Sequence, residues 1–177
     1  MEKYKMPFYV DFSVTPYCNL KCGFCSASSA GKNCRDKILS LEKINDIFDQ
    51  FDENNILRVS IEGGEPFMRD DIMDIVKLAD KHMFSYYINT NGTLITEEIA
   101  KELSKSRVEK VCISIDGKKE IHDMSRGREG TFEKMLSGLK HLQKYNVPVD
   151  AIITLTKKNY ASVIETLYMI EAMGIKM

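Results

Sequence analysis

Three cysteines near the start of the chain are spaced closely enough to act together on one metal centre. Cys18, Cys22 and Cys25 lie four and then three positions apart. Thiolates this close cannot all pair with one another as disulfides without severe strain, but they can converge on a soft metal centre. Because a cubane iron–sulfur cluster is fully ligated by four cysteines, three ligands leave one iron open to a non-protein ligand. A zinc knuckle and a chance grouping of cysteines are the alternatives.

The pattern C-x-x-x-C-x-x-C, with Phe24 before the last cysteine, resembles the signature of the radical S-adenosylmethionine (radical SAM) enzymes. In that family three cysteines hold a [4Fe–4S] cluster, and the amino and carboxylate groups of SAM chelate the fourth iron. One electron from the cluster splits SAM into methionine and a 5′-deoxyadenosyl radical, which abstracts a hydrogen atom from the substrate. The resemblance implies that Cys18, Cys22 and Cys25 bind a [4Fe–4S] cluster and that SAM is the second cofactor.

A double-glycine turn, Gly63-Gly64-Glu65-Pro66, resembles the G-G-E-P motif of the same family. Paired glycines let the backbone approach a ligand closely, and open carbonyl groups there can accept hydrogen bonds from the SAM ammonium. Glu65 can add a charge-assisted hydrogen bond or brace the turn, and Pro66 stiffens its exit. We therefore expect Gly63, Gly64, Glu65 and Pro66 to bind SAM. The alternative is a tight turn between a strand and a helix.

Four further residues at or beyond the ends of predicted strands are candidates for SAM contacts. Asn91 resembles the family's strand-three ending, although asparagine also suits a structural turn. Ser114 and Asp116 resemble the strand-four positions near the SAM ribose and carboxylate, and Asp116 could equally cap the next segment. Arg126 follows in a segment that resembles a subgroup of peptide- and protein-modifying enzymes. Arginine can clamp a carboxylate bidentately; a solvated loop arginine is the alternative.

The order of elements predicts an α/β fold with a parallel sheet, because apolar strand patterns alternate with helical ones. On predicted strand two, Ser60 and Glu62 fall on the face opposite the apolar residues and are expected to line a cavity. Ligands bind outside the carboxyl ends of parallel strands, where these motifs all lie. The predicted strands are 8–14, 57–62, 86–90, 108–115 and 149–155, and the predicted helices are 41–54, 70–82, 97–104, 131–145 and 161–173.

Five βα units are recognisable, and a sixth strand is missing. Because radical SAM domains usually have six such units, the resemblance implies a partial, open TIM-like barrel. Residues 1–177 are therefore expected to form a single radical SAM core domain, incomplete at its C-terminus and without the cysteine-rich SPASM or twitch extension. An unpaired fifth strand would favour self-association through the exposed sheet edge.

Composition limits the classes of partner and the cellular compartment that we expect for this protein. A net charge of −1 gives no basic footprint for nucleic acid. No apolar run reaches the roughly 18–20 residues of a membrane span. Five cysteines, three of them clustered, favour a reducing cytoplasm over a disulfide framework; Cys34 and Cys112 are expected to be a stray thiol and a buried small residue.

The resemblance to the peptide- and protein-modifying subgroup favours a peptide or protein side chain as substrate. The electron is then expected from a low-potential donor of the flavodoxin or ferredoxin type. Related enzymes of molybdopterin, haem or quinone cofactor biosynthesis share these motifs, so a small-molecule substrate is the alternative. A truncated, non-catalytic iron–sulfur partner subunit is the third possibility.

Overall fold

The computed structural model describes residues 7–25 and 38–175. Within them, five parallel strands form one sheet in the order β1-β2-β3-β4-β5, so each strand pairs with its neighbours in the chain. β1 and β5 are the two edges of this sheet, which does not close in the described part of the chain. The predicted open α/β architecture is confirmed. The strands are β1 (Tyr9–Thr15), β2 (Arg58–Gly63), β3 (Ser85–Thr90), β4 (Val111–Ser114) and β5 (Val149–Ile152).

Helices connect the strands and cover the convex face of the sheet. They are α1 (Leu41–Glu53), α2 (Ile72–Ala79), α3 (Glu97–Leu103), α4 (Lys119–Arg126), α5 (Thr131–Lys144) and α6 (Val163–Ala172), with short 3₁₀ turns at Pro66–Met68 and Tyr160–Ser162. Side chains cap the first turns of two helices, because Ser40 Oγ accepts from the Lys43 N–H at α1 and Thr96 Oγ1 accepts from the Ile99 N–H at α3. None of the helices in the described ranges is long and apolar enough to cross a membrane.

Helix α4 is absent from the predicted elements. Its buried residues are His122, Asp123, Ser125 and Arg126, all of them polar or charged. Sequence periodicity detects a buried helix face through apolar residues, so a face that buries polar residues gives no such signal. The helix ends at Gly127, which has φ 69°, a left-handed conformation that favours glycine.

Two predicted strands are too long at their ends. β4 was predicted to reach 108–115 and β5 149–155, but their ladders are confined to Val111–Ser114 and Val149–Ile152. Val108 and Ile115 are nevertheless buried, which explains the apolar pattern. Beyond the end of β5, the Thr154 N–H donates to Asp116 Oδ1 (3.0 Å), so this backbone donor is satisfied by a side chain.

The two faces of the sheet differ in polarity, as alternation along the strands predicts. Val59 and Ile61 of β2 are fully buried on the helix-packed side. A cavity of about 540 Å³ lies on the other, concave side, and Tyr87, Lys110 and Asp150 are among its lining residues. Cys112 also lines this cavity, where burial raises the pKa of its thiol to about 11. Cys34 lies outside the described residues.

Candidate functional site

The predicted site residues gather around one cavity of about 170 Å³ at the carboxyl edge of the sheet. Three residues with predicted roles, Glu65, Pro66 and Asp116, are buried behind its wall instead. Glu62, Asn89 and Thr90 complete the wall from β2 and β3. The predicted residues that line the cavity are Cys18, Cys22, Cys25, Gly63, Gly64, Asn91, Ser114 and Arg126.

The loop that carries the cysteines is held from two sides. On one side, Asn91 Nδ2 donates to Asn19 Oδ1 (2.9 Å), and Asn19 Nδ2 donates to Thr93 Oγ1 (2.8 Å). On the other side, the Lys21 N–H donates to the Arg126 carbonyl (3.4 Å), and Arg128 Nη1 donates to the Asn19 carbonyl (3.2 Å). Asn19 was not among the predicted site residues. Its only sequence signal is its place directly after Cys18.

The cysteines sit among groups that suit thiolate ligands. The four described cysteines, the three of the loop and Cys112, form no disulfide with one another. Burial raises the pKa of the Cys18 thiol, and a hydrogen bond from the Leu20 N–H (3.4 Å) opposes that rise. Burial likewise raises the pKa of the Cys22 thiol, and the charge of Arg126, whose Nη1 lies 4.0 Å from Sγ, opposes it.

This donor set fits an iron–sulfur cluster better than a single ion. In residues 7–25 and 38–175, no three Cys, His, Asp or Glu side chains converge tightly enough to chelate one metal ion. A [4Fe–4S] cluster does not need that convergence, because each cysteine binds a different iron of the cube. Three thiols that open into one cavity, next to a guanidinium and a backbone N–H, match that requirement.

Backbone contacts with the residues that follow β1 determine the shape of the double-glycine turn. The Gly64 N–H donates to the Thr15 carbonyl (2.7 Å), and the Glu65 N–H donates to the Tyr17 carbonyl (2.6 Å). A Cβ atom on Gly64 would lie 2.1 Å from the Tyr17 carbonyl oxygen, and Gly63 has φ 145°. Close approach of two backbones is therefore what demands glycine here. It fixes the start of the cysteine loop against the end of β2.

Glu65 braces this turn against the end of β3. Its carboxylate is buried and accepts hydrogen bonds from Thr90 Oγ1 (2.6 Å), the Asn91 N–H (2.8 Å) and the Phe67 N–H (3.3 Å). Burial raises the pKa of this carboxyl, whereas these three donors oppose the rise. Of the two roles predicted for Glu65, bracing is the one visible in its contacts. Pro66 opens the 3₁₀ turn that follows.

A buried ion pair lies behind the cysteines. Arg126 Nε is 2.9 Å from Asp116 Oδ2, although its N–H does not point at that oxygen. Asp116 also accepts hydrogen bonds from Ser125 Oγ (2.8 Å) and, as noted, from the Thr154 N–H. Arg126 Nη2 is buried and has no hydrogen-bond partner among the described residues. The guanidinium lies over the Phe24 ring at 5.4 Å from its centroid. Asp116 thus orients Arg126 towards the cavity.

His122 supports this pair from inside. The Asp116 N–H donates to His122 Nδ1 (3.3 Å), so the neutral ring carries its proton on Nε2. The side chain is fully buried, and its burial, together with the charge of Arg126, lowers the pKa of His122 to about 4. This histidine therefore serves as a packing residue inside the fold.

Known proteins resemble the chain over most of its length. The AdoMet-dependent heme synthase of Methanosarcina barkeri is 29% identical over 169 residues, which cover 95% of this chain and 48% of that protein. Mycofactocin maturase MftC of Mycolicibacterium smegmatis is 35% identical over 137 residues, 77% of this chain and 34% of that protein. Native anSMEcpe, solved with AdoMet and the Kp18Cys peptide, has a TM-score of 0.82 at 26% identity and covers 97% of this chain and 50% of that one.

The chain therefore spans about half or less of the length of these relatives. The radical SAM superfamily profile matches residues 12–170. That match, on a partial barrel whose carboxyl edge gathers three cysteines and a double-glycine turn, shows that the chain belongs to the radical SAM superfamily, enzymes that use a [4Fe–4S] cluster and SAM.

Proposed function

We propose that residues 1–177 form the core domain of a radical SAM enzyme in which Cys18, Cys22 and Cys25 hold the [4Fe–4S] cluster. The observation that carries this proposal is that the three thiols share one cavity with Gly63, Gly64, Asn91, Ser114 and Arg126. When bound, the reduced cluster and SAM supply a 5′-deoxyadenosyl radical for hydrogen abstraction from the substrate.

Some of the predicted residues contact SAM directly in this proposal, and others position the residues that do. Ser114 offers a hydroxyl at the end of β4, and the glycine backbone lies nearby. Asn91 lines the cavity at the end of β3, where its amide is hydrogen-bonded to Asn19 and Thr93. Arg126 offers Nη2, a buried donor without a partner among the described residues, which suits a carboxylate. Glu65, Pro66 and Asp116 contribute indirectly: the first two hold the double-glycine turn, and Asp116 holds Arg126.

A peptide or protein side chain is the substrate we propose. MftC is named a maturase, and anSMEcpe was solved with a peptide bound. The larger cavity on the concave side also has polar groups in its lining, among them Tyr9, Tyr87, Lys110 and Asp150. Tyr9 is hydrogen-bonded to Tyr87 and Lys110 is paired with Asp150, and hydroxyl, ammonium and carboxylate groups can form further hydrogen bonds to the amides of a peptide. The heme synthase relative keeps a cofactor-biosynthesis substrate as the second candidate.

The test is anaerobic reconstitution of the protein with iron and sulfide, followed by reduction with dithionite and addition of SAM. Release of 5′-deoxyadenosine supports the enzyme. A reducible cluster without SAM cleavage favours the non-catalytic iron–sulfur partner instead. Cys22→Ala is expected to abolish the cluster absorption, whereas Cys112→Ala, on the concave face, is expected to keep it. An intact [4Fe–4S] spectrum in Cys22→Ala would rule out the ligand assignment.

The electron for the cluster is proposed to come from a flavodoxin- or ferredoxin-type protein. Three clustered thiols that form no disulfide with one another support a reducing compartment, and we propose the cytoplasm.

A further inference from the structure

The two cavities on the concave side of the sheet meet at a small polar group on β2 and β3. Asn89 lines both of them, and Glu62 lines the one that holds the cysteines. Asn89 Nδ2 donates to Glu62 Oε2 (2.9 Å) and to Ser60 Oγ (3.0 Å), and Ser60 Oγ lies 3.4 Å from the same Glu62 oxygen. We call Ser60, Glu62 and Asn89 the junction group, because they stand between the cofactor cavity and the larger cavity.

Two side chains of the junction group, Asn89 and Glu62, have oxygen atoms that can accept further hydrogen bonds. Asn89 Oδ1 is buried and accepts no hydrogen bond from the described residues. The donors that reach Glu62 come from Asn89 and Ser60, and both are directed at Oε2. A buried acceptor without a donor costs free energy, so native proteins rarely leave one unmatched. Asn89 and Glu62 are hydrogen-bonded to each other through Asn89 Nδ2, so the amide oxygen and the carboxylate belong to one group that suits a ligand with polar hydrogens.

The charges around the junction group also favour a ligand that donates hydrogen bonds. On the concave side Lys110 pairs with Asp150, and Arg58 pairs with Glu109. Glu62 has no Lys, Arg or His nitrogen within 4.0 Å in residues 7–25 and 38–175. An acidic ligand group at this point would meet an uncompensated carboxylate, whereas an amine or a hydroxyl would find two acceptors.

We propose that Glu62 and Asn89 form a binding site for a hydrogen-bond-donating group, either hydroxyl or ammonium, at the boundary between cofactor and substrate. Two molecules reach this boundary, an inference that rests on the proposed function. One is the nucleoside of SAM, with its ribose hydroxyls, and the other is the substrate, with a basic side chain. Where the substrate supplies the donor, the junction group acts as a specificity determinant that disfavours acidic residues beside the reacting position.

The test uses the reconstituted protein and anaerobic titration calorimetry with two probes. S-adenosylhomocysteine carries the ribose hydroxyls, and the peptide acetyl-Gly-Lys-Gly-amide carries an ammonium. Glu62→Gln is the main variant, because glutamine can still accept from Asn89 while the charge is lost. Glu42→Gln is the matched control on the exposed surface of α1. Asn89→Ser is the second variant and decides the outcome if Glu62→Gln fails to fold.

We expect Glu62→Gln to weaken one probe about tenfold, or about 1.4 kcal/mol, with no change in Glu42→Gln. Weaker binding of S-adenosylhomocysteine assigns the group to the cofactor, and weaker binding of the lysine peptide assigns it to the substrate. If wild type binds neither probe, or the variant binds both as tightly as wild type, the inference is wrong. Binding is measured without turnover, so absence of 5′-deoxyadenosine would count against the proposed function separately.

Discussion

Replacement of Gly64 by alanine should damage the cysteine loop without touching a cysteine. The added Cβ would lie 2.1 Å from the carbonyl oxygen of Tyr17, the residue before Cys18. Overpacking typically costs about 1–3 kcal/mol. Here the contact is with backbone, which cannot rotate away as a side chain can. Relief would stretch the hydrogen bonds from Gly64 to Thr15 and from Glu65 to Tyr17, each worth about 1 kcal/mol. We expect Gly64→Ala to lower the free energy of unfolding by about 2–5 kcal/mol.

Urea unfolding of the cluster-free protein measures this loss, and iron per chain after reconstitution reports the effect on the site. Gly23→Ala is the matched control for stability, because a Cβ there would meet nothing within 4 Å and Gly23 has no positive φ. Alanine at such a position is expected to change stability by no more than about 1 kcal/mol. Equal unfolding free energies for the two variants would refute the reasoning.

Three further predictions concern the interior and the sheet edge. Arg126→Gln removes one partner of a buried ion pair and should cost about 3–5 kcal/mol in chemical denaturation, whereas Arg128→Gln on the surface should cost little; equal losses would contradict this. His122 has its pKa lowered to about 4, so the unfolded chain binds more protons below pH 6.5. Stability should fall by about 3 kcal/mol between pH 6.5 and 4, and His122→Asn should flatten that part of the pH profile; an unchanged profile refutes it. The exposed edge at β5 should give dimers in native mass spectrometry, and a clean dilute monomer would contradict this.

The sequence correctly predicted those features of the fold and the site that depend on short-range patterns of residues. Cysteine spacing identified the loop, and apolar alternation placed Val59 and Ile61 on the buried side of β2. The rule that ligand sites lie at strand carboxyl ends then brought Asn91 and Ser114 to the same cavity as the cysteines. Each of these inferences needs only residues that are neighbours along the chain.

The parts that could not be predicted depend on partners outside the local helix or loop. Helix α4 buries polar residues, which are acceptable inside because groups outside the helix pair with them: Asp116 pairs with Arg126, and the Gly130 and Phe132 N–H groups donate to Asp123. Asn19 looks like any loop asparagine until Asn91 and Thr93 are brought against it. The glycines of the double-glycine turn were expected to make room for a ligand, and the structure shows that they first make room for Thr15 and Tyr17.

The cysteine loop has no helix or strand between Cys18 and Cys25, and its own hydrogen bonds, such as that from the Cys25 N–H to the Cys22 carbonyl, are short-range, so contacts from outside fix its position. Three turns supply these contacts: 63–66 after β2, 90–93 after β3 and 126–128 after α4. Each turn leaves a rigid element, and each contacts the loop or the residues just before it through backbone or amide groups. The positions of the thiols are therefore set by the sheet and by α4. It follows that substitutions in these turns should alter cluster retention as strongly as substitutions next to the cysteines, although none of the turn residues is a ligand.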